Sequence, residues 1–150
     1  MNPFAALRHV LLHGTACLCL AIVPLAAAAA DNPLAAERWK SRPVVVVVPQ
    51  ADDALLRRLR AALNETVTRE AFLDREMVLY TVVAGAGSRN DEALSPAQTR
   101  ALLDGLKLDP AGPPTFILVG KDGGVKMTEG AAVDLKAVFA EVDRMPMRQR

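Results

Sequence analysis

Pro43-Val44-Val45-Val46-Val47-Val48-Pro49 decides the fold. A run of β-branched residues fenced by proline at both ends reads as a buried strand. Its hydrophobicity is continuous rather than alternating, so both faces must be covered, as in a central strand of a sheet with helices on either side. Immediately downstream, Asp52 and Asp53 stand where a helix N-terminus favours acids. Leu55, Leu56, Leu59, Ala62 and Leu63 then recur at helical spacing, with Arg57, Arg58 and Arg60 off that stripe as a solvated face. Helix is expected to continue through 64–76 with Val67, Ala71 and Phe72 inward, and Met77-Val-Leu-Tyr-Thr-Val-Val83 reads as a second strand.

Further out, Ala84-Gly-Ala-Gly-Ser-Arg-Asn-Asp-Glu92 reads as a mobile connection. Gly85, Gly87, Ser88 and Arg89 are residue types that could cradle an anion, but position 90 is Asn where a GxGxxG pattern needs Gly. Ser95-Pro96-Ala-Gln98 combines an N-cap, a proline at the first helical position and Gln at the third, and it starts a helix carrying Leu102, Leu103 and Leu106. Pro110, Gly112, Pro113 and Pro114 lead into a third strand, Thr115-Phe-Ile-Leu-Val119. Gly120-Lys-Asp-Gly-Gly124 supplies turn residues, so Val125 to Thr128 should return antiparallel as a fourth strand. Asp134 caps a last helix, with Leu135, Val138, Phe139, Val142 and Met145 on its apolar stripe. The order β-α-β-α-β-β-α argues for a mixed sheet between helices.

Residues 1–30 are different in kind: 22 of them are hydrophobic and no acid precedes Asp31. Arg8 and His9 form a basic start, an apolar run follows from Val10 to Leu25, and Ala26 to Ala30 supply the small residues of a cleavage site. The run is broken at Gly14 and Pro24, too short for a membrane span. A cleaved secretory signal with cleavage near Ala30 is expected, followed by a single domain over 31–150 that works in the periplasm or outside the cell with no stable membrane anchor. Cys17 and Cys19 lie inside the apolar run and Leu18 is too bulky before Cys19, which disfavours a lipoprotein reading.

Cleavage there would remove every Cys (17, 19) and every His (9, 13) of the chain. The mature domain would then have no thiol nucleophile, redox pair, disulfide, catalytic His or imidazole ligand. No catalytic residue, metal or cofactor is expected, and adjacent acids such as Asp52–Asp53 do not face each other on a helix. Met145 and Met147, without His or Cys, make a poor copper site. The 18 basic against 17 acidic residues become 17 against 17 once Arg8 leaves, so nothing favours nucleic-acid binding.

The element order resembles that of thioredoxin-like proteins. Pro113-Pro114-Thr115-Phe116 is similar to the segment where they carry a cis-proline, which would make Pro114 that residue. Where their active-site motif would fall, this chain has Pro49-Gln-Ala-Asp-Asp53 and no cysteine. The resemblance implies a thioredoxin-like three-layer sandwich, a central mixed four-stranded sheet flanked by helices, without redox chemistry.

Leu118-Val-Gly-Lys121-Asp122-Gly-Gly-Val-Lys126, with Asp143-Arg-Met145-Pro146-Met147-Arg148-Gln-Arg150 and Trp39-Lys-Ser-Arg42, resembles the family called domain of unknown function 4174. Its members are mostly small exported bacterial proteins, with related domains in animal extracellular proteins that carry sushi repeats. The resemblance implies binding or adhesion and supplies no catalytic residue. A hairpin turn accounts for Asp122 and the glycines but not for Lys121, Lys126, Arg144 and Arg148. The expectation is a polar, basic surface of Lys121, Asp122, Lys126, Arg144 and Arg148 that contacts an envelope or extracellular protein. The alternative is a small-anion-binding protein or a carboxylate-based enzyme using the 85–89 loop.

Overall fold

Strand β1 (Arg42–Val48) is enclosed over its whole length, and Val44 to Val48 are at most 2% exposed. Burying each such side chain is worth about 1.5–3 kcal/mol, so this strand is the largest single source of apolar burial. The computed structural model describes residues 31–148. The expected signal, with its Cys and His residues, lies outside the described residues, as do Gln149 and Arg150.

The first helix, α1 (Ala54–Asn64), is capped by the Asp53 side chain on the Leu55 amide and turns Leu55, Leu56 and Leu59 into the core. The chain does not continue as one helix. Glu65 is extended, and α2 (Thr66–Asp74) starts afresh, which leaves Val67 79% exposed while Phe72 is buried. The inward assignment of Val67 is therefore corrected: the break at Glu65 resets the helical phase.

Strand β2 (Met77–Val83) pairs parallel with β1, Arg42 opposite Met77. The expected mobile connection is instead two tight hairpins. Ala84 and Gly85 both have positive φ and return the chain as β3 (Ala86–Arg89); Asn90 and Asp91, again both positive, return it as β4 (Glu92–Ala93). Positive φ at both central residues is the geometry that matches strand twist in two-residue hairpins. Helix α3 (Pro96–Leu106) opens with the full Ser95/Gln98 capping box and carries buried Leu102 and Leu103. Strand β5 (Thr115–Val119) runs antiparallel to β1, and β6 (Val125–Glu129) pairs with β5 across the Gly120–Gly124 turn. Helix α4 (Leu135–Asp143) is capped by Asp134 and buries Val138 and Val142.

The sheet thus has six strands in the order β4-β3-β2-β1-β5-β6, not the four expected. Val44, Val46 and Val48 pack with α1, α2 and α4 on one face, and Val45 and Val47 with α3 on the other. This is a three-layer mixed α/β sandwich, broadly consistent with the thioredoxin-like arrangement apart from the added edge. Pro114 is not a cis residue, since every peptide bond among the described residues is trans. No helix among them is long and apolar enough to cross a membrane.

Candidate functional site

Two consecutive residues at the start of β1 serve opposite faces of the sheet. Ser41 is turned to the α3 side, where its hydroxyl donates to Glu37. Arg42, in phase with Val44 and Val46, is on the α4 side with a fully enclosed side chain.

The Glu37 cluster is closed. Tyr80 Oη and Arg89 Nε donate to Oε1 at 2.8 and 2.7 Å, and Ser41 supplies Oε2. Burial alone would raise the Glu37 carboxyl, but these donors outweigh it and hold the group below its ordinary value. The same burial, together with the Glu37 charge, pushes the Tyr80 hydroxyl up. Arg89 Nε is therefore committed inward, to the Glu37 carboxylate.

The rest of the expected anion loop is committed as well. Gly85 is a turn residue at φ +83°, and the Ser88 hydroxyl bonds Thr81 Oγ1 at 2.7 Å. Gly87 is buried under α3, where a Cβ would lie 2.4 Å from Thr99 Oγ1. Its glycine allows the helix to approach the strand and makes no phosphate nest. The structure does not bring Gly85, Gly87, Ser88 and Arg89 together as an anion cradle.

On the opposite face, the β5–β6 turn and the segment after α4 meet over Arg42. Together they line a cavity of about 360 Å³ whose walls include Arg42, Lys121, Lys126, Arg144, Met145 and Met147. The turn is rigidly specified: Asp122 Oδ1 accepts from the Gly124 amide at 3.0 Å and Oδ2 from Lys126 Nζ at 2.6 Å. Lys126 and the Gly124 amide hold the Asp122 carboxyl below its ordinary value. The leader clasps the turn from behind, with Trp39 N donating to the Lys121 carbonyl at 2.7 Å and Arg38 Nε to that of Asp122 at 3.2 Å. Met145, 9% exposed, anchors the C-terminal segment in the core.

Ion pairs organise the rim. Lys121 Nζ lies 2.5 Å from Glu76 Oε2, which lowers the Glu76 carboxyl, and Arg144 Nη2 lies 2.5 Å from Glu141 Oε2. Arg148 does not line the cavity. Its guanidinium bonds the Asp74 carboxylate and carbonyl and reaches Asp143 Oδ1 at 3.5 Å, clamping the chain end to α2 and α4. The structure therefore brings Lys121, Asp122, Lys126 and Arg144 to one cavity and places Arg148 in a separate clamp.

Arg42 has no place in the basic surface expected from the sequence. Its Nη1 donates to the Arg75 carbonyl at 2.9 Å and to Glu76 Oε2 at 3.3 Å, whereas the enclosed Nε and Nη2 have no partner. Its sequence signal is position alone, a cation one residue before the proline that opens a fully buried strand. Glu37 and Tyr80 carried no such signal, because their pairing joins residues 43 positions apart.

Comparisons with curated proteins and with solved structures return no match. The family described as domain of unknown function (DUF4174) matches residues 33–150, from the leader that clasps the turn to the segment that closes the cavity, and the chain belongs to that family.

Proposed function

We propose that this chain is an exported, non-catalytic and non-redox binding module that engages an envelope or extracellular protein through the face where the 120–126 hairpin meets the 144–147 segment. One observation supports this reading above the others. Two segments on either side of α4, carrying Lys121, Lys126 and Arg144, converge on one cavity floored by an enclosed arginine. The absence of Cys and His after residue 30 fits a role in contact rather than turnover. The reading of an anion-binding or catalytic 85–89 loop finds no comparable support, since Gly87 is packed under α3 and the loop's polar groups do not converge on one cavity.

The test is site-specific photocrosslinking in the native envelope, with the crosslinker at Lys126 and, as a control, at exposed Glu70 on α2. The expected result is one discrete adduct from position 126 and none from position 70. Identical patterns from both positions would overturn the assignment of this face. An intact mass of the native protein beginning at Asp31 is expected in the same fraction.

A further inference from the structure

We infer that the unpaired edge of Arg42 is a carboxylate-binding fork, which takes an acidic side chain or C-terminus of the partner protein. The inference rests on the binding reading above and names the chemistry of its central contact.

The two nitrogens of Arg42 without a partner are Nε and Nη2. They lie on the same edge of the guanidinium, the edge that grips a carboxylate through two parallel N–H···O bonds. The opposite edge is occupied, because Nη1 is bonded to the Arg75 carbonyl and Glu76. Those bonds fix the plane of the guanidinium and leave one fork edge unpaired. An enclosed cation with unmet donors is costly, and a site built to receive an anion is one arrangement that explains its retention.

Charge selects the ligand. Arg42, Lys121, Lys126 and Arg144 are set against Glu76, Asp122 and Glu141, so the cluster carries one surplus positive charge. A carboxylate monoanion balances that surplus, and a phosphate dianion overshoots it. The Met145-Pro146-Met147 wall adds apolar surface suited to the carbon chain that bears the carboxylate. The fork itself is covered, and the cavity is walled by long unbranched side chains such as Lys121, Lys126 and Met147. A carboxylate reaches the fork only if these side chains change rotamer.

The experiment uses the protein as isolated from its own cells, with 15N labelling. The Arg42 Nε–H resonance is followed at constant ionic strength while the peptide acetyl-Gly-Glu-Gly-amide, its Gln counterpart, sodium acetate or sodium phosphate is added against sodium chloride. The Glu peptide is expected to shift the resonance saturably and the Gln peptide to leave it unmoved. Arg42→Met should abolish the accompanying rise in Tm. Arg42→Lys, which keeps the charge and loses the fork, should weaken binding at least tenfold and serves if the Met variant fails to fold. A resonance that no probe moves, or an Arg42→Met protein whose Tm responds like wild type, overturns the fork. Acetate or phosphate saturating as tightly as the peptide reassigns it to a free small anion and overturns the partner as source. The crosslink from position 126 separates the two proposals: if it persists in Arg42→Met the face stands without the fork, and if it is absent while the peptide binds, the fork stands without the face.

Discussion

Glu37 on the α3 side of the sheet and Arg42 on the α4 side are both enclosed charges, yet one has partners on both oxygens and the other has two of its three guanidinium nitrogens unpaired. Glu37 receives Ser41, Tyr80 and Arg89, joining the leader, β2 and β3. Arg42 spends Nη1 on the end of α2 and leaves Nε and Nη2 enclosed without a partner, in a side chain that contributes to a cavity wall. A buried charge whose hydrogen-bonding capacity is used inside the fold holds elements together; one whose capacity is left over carries a desolvation cost that the fold does not offset. The contrast makes the two residues respond oppositely to removal.

The largest effect is expected at Glu37. Glu37→Ala leaves the Tyr80 hydroxyl and Arg89 without their shared acceptor, and breaking a buried pair in this way costs about 3–5 kcal/mol. The lower end applies, about 3 kcal/mol, because the Arg89 side chain is 38% exposed and regains water. Urea denaturation at neutral pH measures it. A loss under about 1 kcal/mol would mean that the cluster is ornamental and that the two charges do not differ in kind.

Acid sharpens the same contrast. The folded Glu37 carboxyl is held below its ordinary value of 4.5, so the unfolded chain takes up its proton first as pH falls. Its stabilisation is complete above that value and is lost on acidification through the folded one. Glu76, Asp122 and Asp143 are lowered too, by Lys121, Lys126 and Arg75 respectively, so wild type alone cannot isolate Glu37. The stability gap between wild type and Glu37→Gln should therefore narrow between neutral pH and pH 3. A gap of constant size would show that the carboxylate charge adds nothing beyond its hydrogen bonds.

How much of this was legible in the sequence follows from the range of the interactions. Val44 to Val48, the Ser95/Gln98 capping box and the Gly120–Gly124 turn are local signals, and each produced the element it announced. The β3–β4 edge was missed because Ala-Gly-Ser-Arg has poor strand propensity; it pairs only because β2 is already in place and two-residue turns at Ala84–Gly85 and Asn90–Asp91 return the chain onto it. The Asn90-Asp91 pair, tolerant of positive φ, was the available clue. At the candidate site the cations of the hairpin and tail were visible as an unexplained excess. Arg148 reads as one of them because its clamp to Asp74 spans 74 residues, and Arg42 is silent in the sequence because nothing local marks a guanidinium as left with two unpaired nitrogens.

The smallest expected effect is the most discriminating. Arg42→Met keeps an unbranched side chain of similar length in the core and removes a cation with two unmet donors, each of which costs about 1–3 kcal/mol when buried. It also removes the bonds to the Arg75 carbonyl and Glu76, of which Glu76 retains Lys121 and is 53% exposed. Gains and losses of this size nearly cancel, as they do when other buried ions give way to apolar residues. Urea denaturation in chloride should therefore place Arg42→Met within about 1 kcal/mol of wild type, or above it. A loss of 3 kcal/mol or more would mean that Nε and Nη2 are satisfied within the folded protein, for instance by enclosed water, so that Arg42 acts as Glu37 does. The comparison would then collapse into two structural locks, one on each face of β1, and the argument for a ligand at the fork would go with it.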